Sequence, residues 1–138
     1  MKLIFKKGFT LVELLVVISI IGILAAVATA NLLTAQKQAR DSRRISDLEG
    51  AQTALETYYA ESQVYPLEAE INDAFDSGAR PVDPKDSGIY VYSWLTDTDS
   101  YCLCATLESK VGNADTVGTS DSCSWDSAGT YFCVQNRQ

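Results

Sequence analysis

The sequence of 138 residues contains no histidine, so the most common general base and the most common metal ligand are both absent. Basic residues are also scarce, because 11 lysines and arginines face 18 acidic residues and leave a net charge of -7. An acidic surface repels nucleic acid, so we expect no DNA or RNA binding by the isolated domain. These absences argue against an enzyme, and we expect neither catalytic residues nor a cofactor.

Proline is absent from Phe9 to Ser62, and Gly22 and Gly50 are the only glycines in that stretch. The stretch therefore predicts one continuous helix of ~80 Å at ~1.5 Å per residue. Its first half is apolar on all sides to about Ala30, which is long enough to span a membrane. Its second half is amphipathic and should pack against a domain, because larger side chains recur there at steps of three and four: Ile45, Leu48, Gln52, Leu55 and Tyr59.

The apolar first half contains one acid, Glu13. A charge at the centre of a membrane-spanning helix costs roughly 2.5 to 3.5 kcal/mol, so such residues usually face a partner. The apolar run itself offers no cation. The nearest candidates are Lys6 and Lys7, which precede a Gly8-Phe9 junction of the kind that a peptidase cuts. A cut there would create a further candidate, the α-amine of Phe9.

Three interpretations of this N-terminus compete. A secretory signal peptide would use Ala28-Thr29-Ala30 as its cleavage site, but Glu13 and the length of the apolar run argue against it. A plain single-span anchor fits the length and leaves Glu13 unpaired. A segment that is stored in the membrane and later packed into an oligomer gives Glu13 a cation on a neighbour. The cost of an unpaired acid favours this third interpretation.

A basic cluster lies between the two halves of the predicted helix, at Lys37, Arg40, Arg43 and Arg44. It predicts contact with lipid headgroups or neighbouring acidic surfaces, or else a solvated basic stretch, about equally. Lys2, Lys6 and Lys7 favour a cytoplasmic N-terminus.

The rest of the chain alternates loops with short strand-like runs. Residues 63–88 contain all three prolines and predict a loop, with one or two helical turns at most from Leu67 to Phe75. Aromatic and β-branched residues predict three strands, at Ile89–Leu95, Tyr101–Glu108 and Thr130–Val134. The polar, glycine-rich stretch from Ser109 to Ala128 predicts a surface loop.

All four cysteines lie near the C-terminus, at Cys102, Cys104, Cys123 and Cys133. An even number in an exported chain predicts disulfides. A bond between Cys102 and Cys104 would close a very tight ring, so cross-pairing with Cys123 and Cys133 is preferred, and both cross-pairings stay open. A four-thiolate zinc site is the alternative, but the spacing does not match paired C-x2-C knuckles.

The residues Lys6-Lys7-Gly8-Phe9-Thr10-Leu11-Val12-Glu13-Leu14-Leu15 resemble the class III signal of type IV pilins and of type II secretion pseudopilins. The match includes the short basic leader, glycine before the cut, phenylalanine after it, and glutamate at the fifth mature position. The similarity continues more weakly through Asp47-Leu48, Ala54–Tyr59 and Tyr65-Pro66, and covers about half of the chain.

The resemblance implies an α+β fold, a ladle in which one long helix packs on a small antiparallel sheet of three or four strands. It divides the chain into a cleaved leader at 1–8, a transmembrane and polymerisation helix at 9–32, and a globular domain at 33–138 that includes the second half of the helix. The globular domain would be periplasmic or extracellular.

The same resemblance implies a structural filament subunit. A prepilin peptidase would cut between Gly8 and Phe9 and methylate the Phe9 amine, and Glu13 would pair with the Phe9 amine of an adjacent copy. The expected partners are further copies in a helical filament, the membrane, an assembly platform and its ATPase. The chain would start as a single-pass protein of the cytoplasmic membrane and end in an extracytoplasmic or cell-surface filament. The alternative is a membrane-anchored binding domain that does not polymerise.

Calcium is a weaker expectation. Major pseudopilins often carry a calcium site in their C-terminal loops, and Asp97, Asp99, Asp115 and Asp121 are the acids that could contribute here. Oxygen ligands suit calcium, but the spacing is not that of an EF-hand, and Asp97 and Asp99 remain weak candidates. We therefore expect no specific metal.

Overall fold

The computed structural model describes residues 8–137, with only the backbone of Ala30. The chain divides into two compact units, one up to Gln36 and one from Lys37 onward. In the first unit, the side chains described between Gly8 and Gln36 are all exposed. The second unit contains all the strands and both hydrophobic cores.

A single helix, α1, runs from Leu11 to Ser62 and confirms the predicted continuous helix. It ends where Gln63 adopts a left-handed backbone with φ of 61° and donates its N–H to the carbonyl of Tyr59, at 2.8 Å. A left-handed residue just after the last turn is a common helix terminator, and Pro66 follows shortly. The loop after it contains a short 3₁₀ helix, Ile71–Ala74, inside the range predicted for helical turns.

The second half of α1 buries one face, as its amphipathic pattern predicts. Its buried residues follow steps of three and four: Asp41, Arg44, Leu48, Ala51 and Leu55. Ile45, Gln52 and Tyr59 are only half-buried at the edges of this face. The first two of these buried residues, Asp41 and Arg44, are charged. The spacing of apolar residues in the sequence did not predict that they would be buried.

Five antiparallel strands form one sheet, in the order β1-β2-β5-β3-β4. Their bounds are β1 Ser93–Thr96, β2 Tyr101–Thr106, β3 Ala114–Thr116, β4 Ser124–Trp125 and β5 Tyr131–Gln135. The three predicted strands correspond to β1, β2 and β5. The expectation of three or four strands is wrong by one, because β3 and β4 lie within the stretch predicted to be a surface loop.

Side-chain pairing explains why β3 forms in a polar, glycine-rich segment. Asn113 imitates a strand residue, since its side-chain oxygen accepts the N–H of Cys133 at 2.7 Å and its amide donates to the Cys133 carbonyl at 2.9 Å. Gly129 allows a close approach, because a Cβ there would overlap the carbonyl of Ala114. These contacts join residues distant in sequence, so local propensity does not predict them.

The two faces of β2 line two separate cores, as strand alternation predicts. Tyr101, Leu103 and Ala105 pack with Leu48 and Leu55 of α1 in the larger core. The opposite face of β2 belongs to a smaller core, composed of Cys102, Cys104, Ala114, Cys123 and Cys133.

Candidate functional site

The N-terminus of α1 is closed by a reciprocal pair of side chains, Thr10 and Glu13. The hydroxyl oxygen of Thr10 accepts the backbone N–H of Glu13 at 3.2 Å. In return, Glu13 Oε2 accepts the backbone N–H of Thr10 at 2.9 Å and its hydroxyl at 2.8 Å. This is a capping box, which satisfies backbone N–H groups that have no partner inside the helix. Glu13 therefore caps the N-terminus of the helix, in addition to being the one charged residue in its apolar first half.

The expectation from the sequence concerned only a cation that could pair with Glu13, and a neutral partner within the same copy was missed. Thr10 is its hydrogen-bond partner, and the T-x-x-E spacing of Thr10 and Glu13 is a sequence signal that would have predicted it. Within residues 8–137, however, Glu13 makes no ion pair. Both bonds from Thr10 reach Oε2, so among those residues Oε1 accepts none. Lys6 and Lys7, the nearest predicted cations, lie outside the described residues.

The predicted cleavage junction is open to solvent. Phe9 is 87% exposed, and a Cβ added at Gly8 would meet nothing within 4 Å. Neither residue belongs to the helix, which begins at Leu11. Within the described residues, the two residues that flank the predicted cleavage bond are therefore both exposed.

Beyond the cap, about the first six turns of α1 expose large apolar side chains in every direction. Between Leu11 and Leu33 such residues are 48% to 78% exposed. The helix is long and apolar enough to cross a membrane. Exposed apolar surface of this extent marks contact with lipid or with other protein, so a single copy in water is not its final environment.

In the domain, a second charged site surrounds the buried guanidinium of Arg44, and we call it the Arg44 cluster: Arg40, Asp41, Arg44, Asp83 and Glu108. Arg44 binds Asp83 through two nitrogens, at 2.6 and 2.9 Å, and contacts Asp41 and Glu108 at 2.9 Å each. Arg40 binds Glu108 in the same bidentate manner, at 2.7 Å for both bonds. The cluster ties α1 to the loop before β1 and to the end of β2.

Asp41 binds the backbone of residues 108–110, the segment that follows β2. Its carboxylate accepts the backbone N–H groups of Glu108, Ser109 and Lys110, at 2.8, 2.8 and 3.1 Å. Burial alone would raise the pKa of Asp41, but these bonds and Arg44 outweigh it and hold that pKa below its ordinary value. Burial likewise opposes the ionised form of Asp83, and its bonds from Arg44 keep its pKa lowered.

For Arg40 and Arg44 these contacts favour the interpretation of contact with acidic groups, and the acids belong to the same domain. The Arg44 side chain is fully buried and its partners are acids of its own domain, so it contacts neither headgroups nor bulk solvent. Arg43 does remain 66% exposed, with one long contact of 3.7 Å to Asp47. The sequence signal that was missed is the i,i+3 pair of Asp41 and Arg44.

The Arg44 cluster predicts that the domain loses stability in acid. Hydrogen bonds from Arg40 lower the pKa of Glu108 from an ordinary 4.5 to about 2. The stabilisation from a lowered pKa is complete above about pH 5 and is lost as the pH falls towards 2. We expect the free energy of unfolding to fall across that range, with about 2 kcal/mol due to Glu108 after allowance for solvent screening.

Denaturant unfolding between pH 2 and 7, on the wild-type protein and on Glu108→Gln, measures this effect. The variant should be less stable at pH 7 and should change less with pH. Equal pH profiles for the two proteins would contradict the role given to Glu108.

The cysteines form two disulfides, Cys102 with Cys123 and Cys104 with Cys133. This is one of the two cross-pairings that the sequence left open. Cys104 and Cys133 are directly opposite each other on β2 and β5, with Cα atoms 4.2 Å apart. Cys123 fastens the segment before β4 to β2, which holds the glycine-rich stretch against the sheet.

The aspartates considered for calcium do not converge. Asp97 accepts the N–H of Thr98 at 2.7 Å in the turn between β1 and β2, and Asp99 is exposed in the same turn. Asp121 accepts the Ser100 hydroxyl at 3.3 Å, and Asp115 lies exposed on β3. Among residues 8–137, the one group of three or more close metal-ligating side chains is that of the four cysteines.

Comparison with known proteins places the similarity mainly at the N-terminus. Residues 5–29 match the family model described as the prokaryotic N-terminal methylation motif. The type II secretion system core protein G of Escherichia coli is 38% identical over 61 residues, which cover 44% of this chain and 42% of that protein. The major component of the type IV wide pilus of Thermus thermophilus is 49% identical over 59 residues, covering 43% of this chain and 45% of that protein.

A longer but weaker similarity extends over the domain. Fimbrial protein Q of Moraxella bovis is 29% identical over 137 residues, which cover 95% of this chain and 87% of that protein. The two matches of higher identity each span less than half of the relative's own length. No solved structure matches the chain.

Proposed function

Starting from its confirmed resemblance to type IV pilins and type II secretion pseudopilins, we propose that this chain is the structural subunit of a pilus or pseudopilus filament. A prepilin peptidase removes residues 1–8 and methylates the new Phe9 amine. The chain waits as a single-pass protein of the cytoplasmic membrane, with its N-terminus cytoplasmic. An assembly platform and its ATPase then move it into an extracytoplasmic filament.

The observation that carries this proposal is the combination of an exposed apolar helix with one acid, Glu13, whose Oε1 accepts no hydrogen bond from residues 8–137. In a bundle of such helices, the apolar side chains of each copy cover those of its neighbours. Glu13 Oε1 then accepts the cationic amine of Phe9 from an adjacent copy, while Oε2 keeps the Thr10 cap. An ion pair in an apolar core contributes little net stability but fixes the axial register of helices that would otherwise slide.

The proposed role is structural, not enzymatic. The relatives are named as a pilus component, a secretion-system core protein and a fimbrial protein. The charged groups of the Arg44 cluster are engaged with one another and hold the domain together. The competing function, a binding domain tethered by its helix, would need neither the Gly8-Phe9 cut nor Glu13.

The mass of the mature chain tests this proposal. Protein purified from membranes that contain a prepilin peptidase should begin at Phe9 and carry one methyl group on its α-amine. The same protein from a host without the peptidase should retain Met1 to Gly8 and serves as the control. A chain that keeps its leader in both hosts would support the tethered domain, and a chain that begins after Ala30 would support an ordinary signal peptide.

A further inference from the structure

The four cysteine sulfurs form one compact, buried group. All four Sγ atoms lie within 4.8 Å of one another, and Sγ of Cys102 and Sγ of Cys104 are only 3.5 Å apart although they belong to different disulfides. Each of the four residues is 4% exposed or less. Around them lie Ala114, Val117 and Tyr131, so the group is enclosed by protein.

The backbone, and not the disulfide bonds alone, brings these sulfurs together. Cys102 and Cys104 lie two residues apart on the same face of β2. The antiparallel register places Cys133 of β5 directly opposite Cys104. Cys123 is positioned by the segment leading into β4, which pairs with β3. These ladder hydrogen bonds join backbone groups and involve no sulfur atom.

Once reduced, four sulfurs confined within 4.8 Å of one another are close enough to bind a single tetrahedral metal. Zinc binds thiolate sulfur at about 2.3 Å, which places the four sulfurs of a tetrahedron about 3.8 Å apart. Opening each disulfide lets its two sulfurs separate to that distance within the present group. The absence of C-x2-C knuckles argued against zinc in the sequence, but here three sheet segments supply the ligands and knuckle spacing is not needed.

We propose that the reduced chain binds one zinc ion through Cys102, Cys104, Cys123 and Cys133. A dithiol reductant first opens the two disulfides, and each bond takes up two electrons and two protons while one reductant molecule becomes a cyclic disulfide. Zinc then replaces the four thiol protons. Thiols are kept reduced in the cytosol, so the site exists in the chain before its domain crosses the membrane. Outside, two disulfide-bonded oxidant molecules each take up two electrons and two protons and become dithiols, which forms the two protein disulfides and releases the ion. The proposal does not depend on filament assembly.

Cobalt, whose tetrahedral thiolate complexes are coloured, is the probe that tests this site. Full-length protein in detergent is reduced under inert gas, freed of reductant and titrated with Co²⁺. We expect one Co²⁺ per chain, thiolate-to-cobalt charge-transfer absorption, intense visible bands and displacement of Co²⁺ by Zn²⁺. The oxidised protein should give none of these bands, and Cys123→Ser should lose the four-thiolate spectrum.

Near-UV circular dichroism of Trp94 and the core tyrosines distinguishes a folded site from binding by loose thiols. Titration with Zn²⁺ should preserve or restore the spectrum of the oxidised domain. Absence of the charge-transfer bands, equal bands in Cys123→Ser, or metal binding that leaves the domain without its near-UV signal would each overturn the proposal.

Discussion

A Glu13→Ala variant is expected to insert into the membrane at least as well as the wild-type protein and to form no filaments. Removing the carboxylate relieves at most roughly 2.5 kcal/mol of insertion cost, which is the value for a charge at the centre of the membrane. In the filament, however, the Phe9 amine of the adjacent copy would be left as an unpaired cation in an apolar core. Breaking a buried pair in this way costs about 3 to 5 kcal/mol, so the assembled fraction should fall by at least about a hundredfold.

The capping box requires a matched control, because Glu13→Ala also removes the acceptor for the Thr10 N–H. Losing a helix cap costs about 1 kcal/mol. Glu13→Gln keeps an oxygen that can accept this N–H but has no charge to pair with an amine. We expect Glu13→Gln to retain the start of α1 and still to assemble poorly. Glu49→Ala, at an exposed acid farther along the same helix, should assemble normally.

Filament yield is measured by shearing cells and quantifying the released protein, and insertion is measured in the membrane fraction. Normal filaments from Glu13→Gln would assign the residue to helix capping and not to charge pairing. Normal filaments from Glu13→Ala would show that neither role is needed for assembly.

An Arg44→Ala variant is expected to lose about 3 to 5 kcal/mol of folding stability, which is a large part of what a domain of this size has. The substitution leaves Asp83, which is 4% exposed, and the fully buried Asp41 without their shared cation. It also removes one of the two arginines that bind Glu108. The buried carboxylates would have to be protonated or exposed, and either event frees the loop before β1 from α1.

Arg43→Ala provides the matched control at the next position of the same helix. Arg43 is 66% exposed and makes one ion pair of 3.7 Å, so its loss should change stability by no more than about 0.5 kcal/mol. Denaturant unfolding of the full chain in detergent, followed by near-UV circular dichroism, compares the two variants. Equal losses for Arg43→Ala and Arg44→Ala would contradict the central position given to the Arg44 cluster.

The sequence predicted the elements that local pattern determines. The proline-free stretch predicted α1 almost to the residue, and aromatic and β-branched residues predicted β1, β2 and β5. The strands β3 and β4 escaped prediction because they have three and two residues and form through tertiary contacts such as those of Asn113.

The charged residues were harder to place, because a charge pattern does not reveal which acids fold back onto it. Arg44 looks like its exposed neighbour Arg43 in the sequence, and its partners Asp83 and Glu108 are 39 and 64 residues away. The choice between the two cross-paired disulfides depended in the same way on the register of β2 and β5. By contrast, the capping partner of Glu13 was visible in the sequence at Thr10, three residues before it.

Glu13 therefore has two roles in our account, one within a copy and one between copies. Cryo-electron microscopy of sheared wild-type filaments tests the second role most directly. We predict a helical filament of this chain in which Glu13 Oε1 lies within ion-pair distance of the methylated Phe9 amine of another copy. A filament in which Glu13 contacts only its own Thr10, with that amine paired elsewhere, would contradict the proposal.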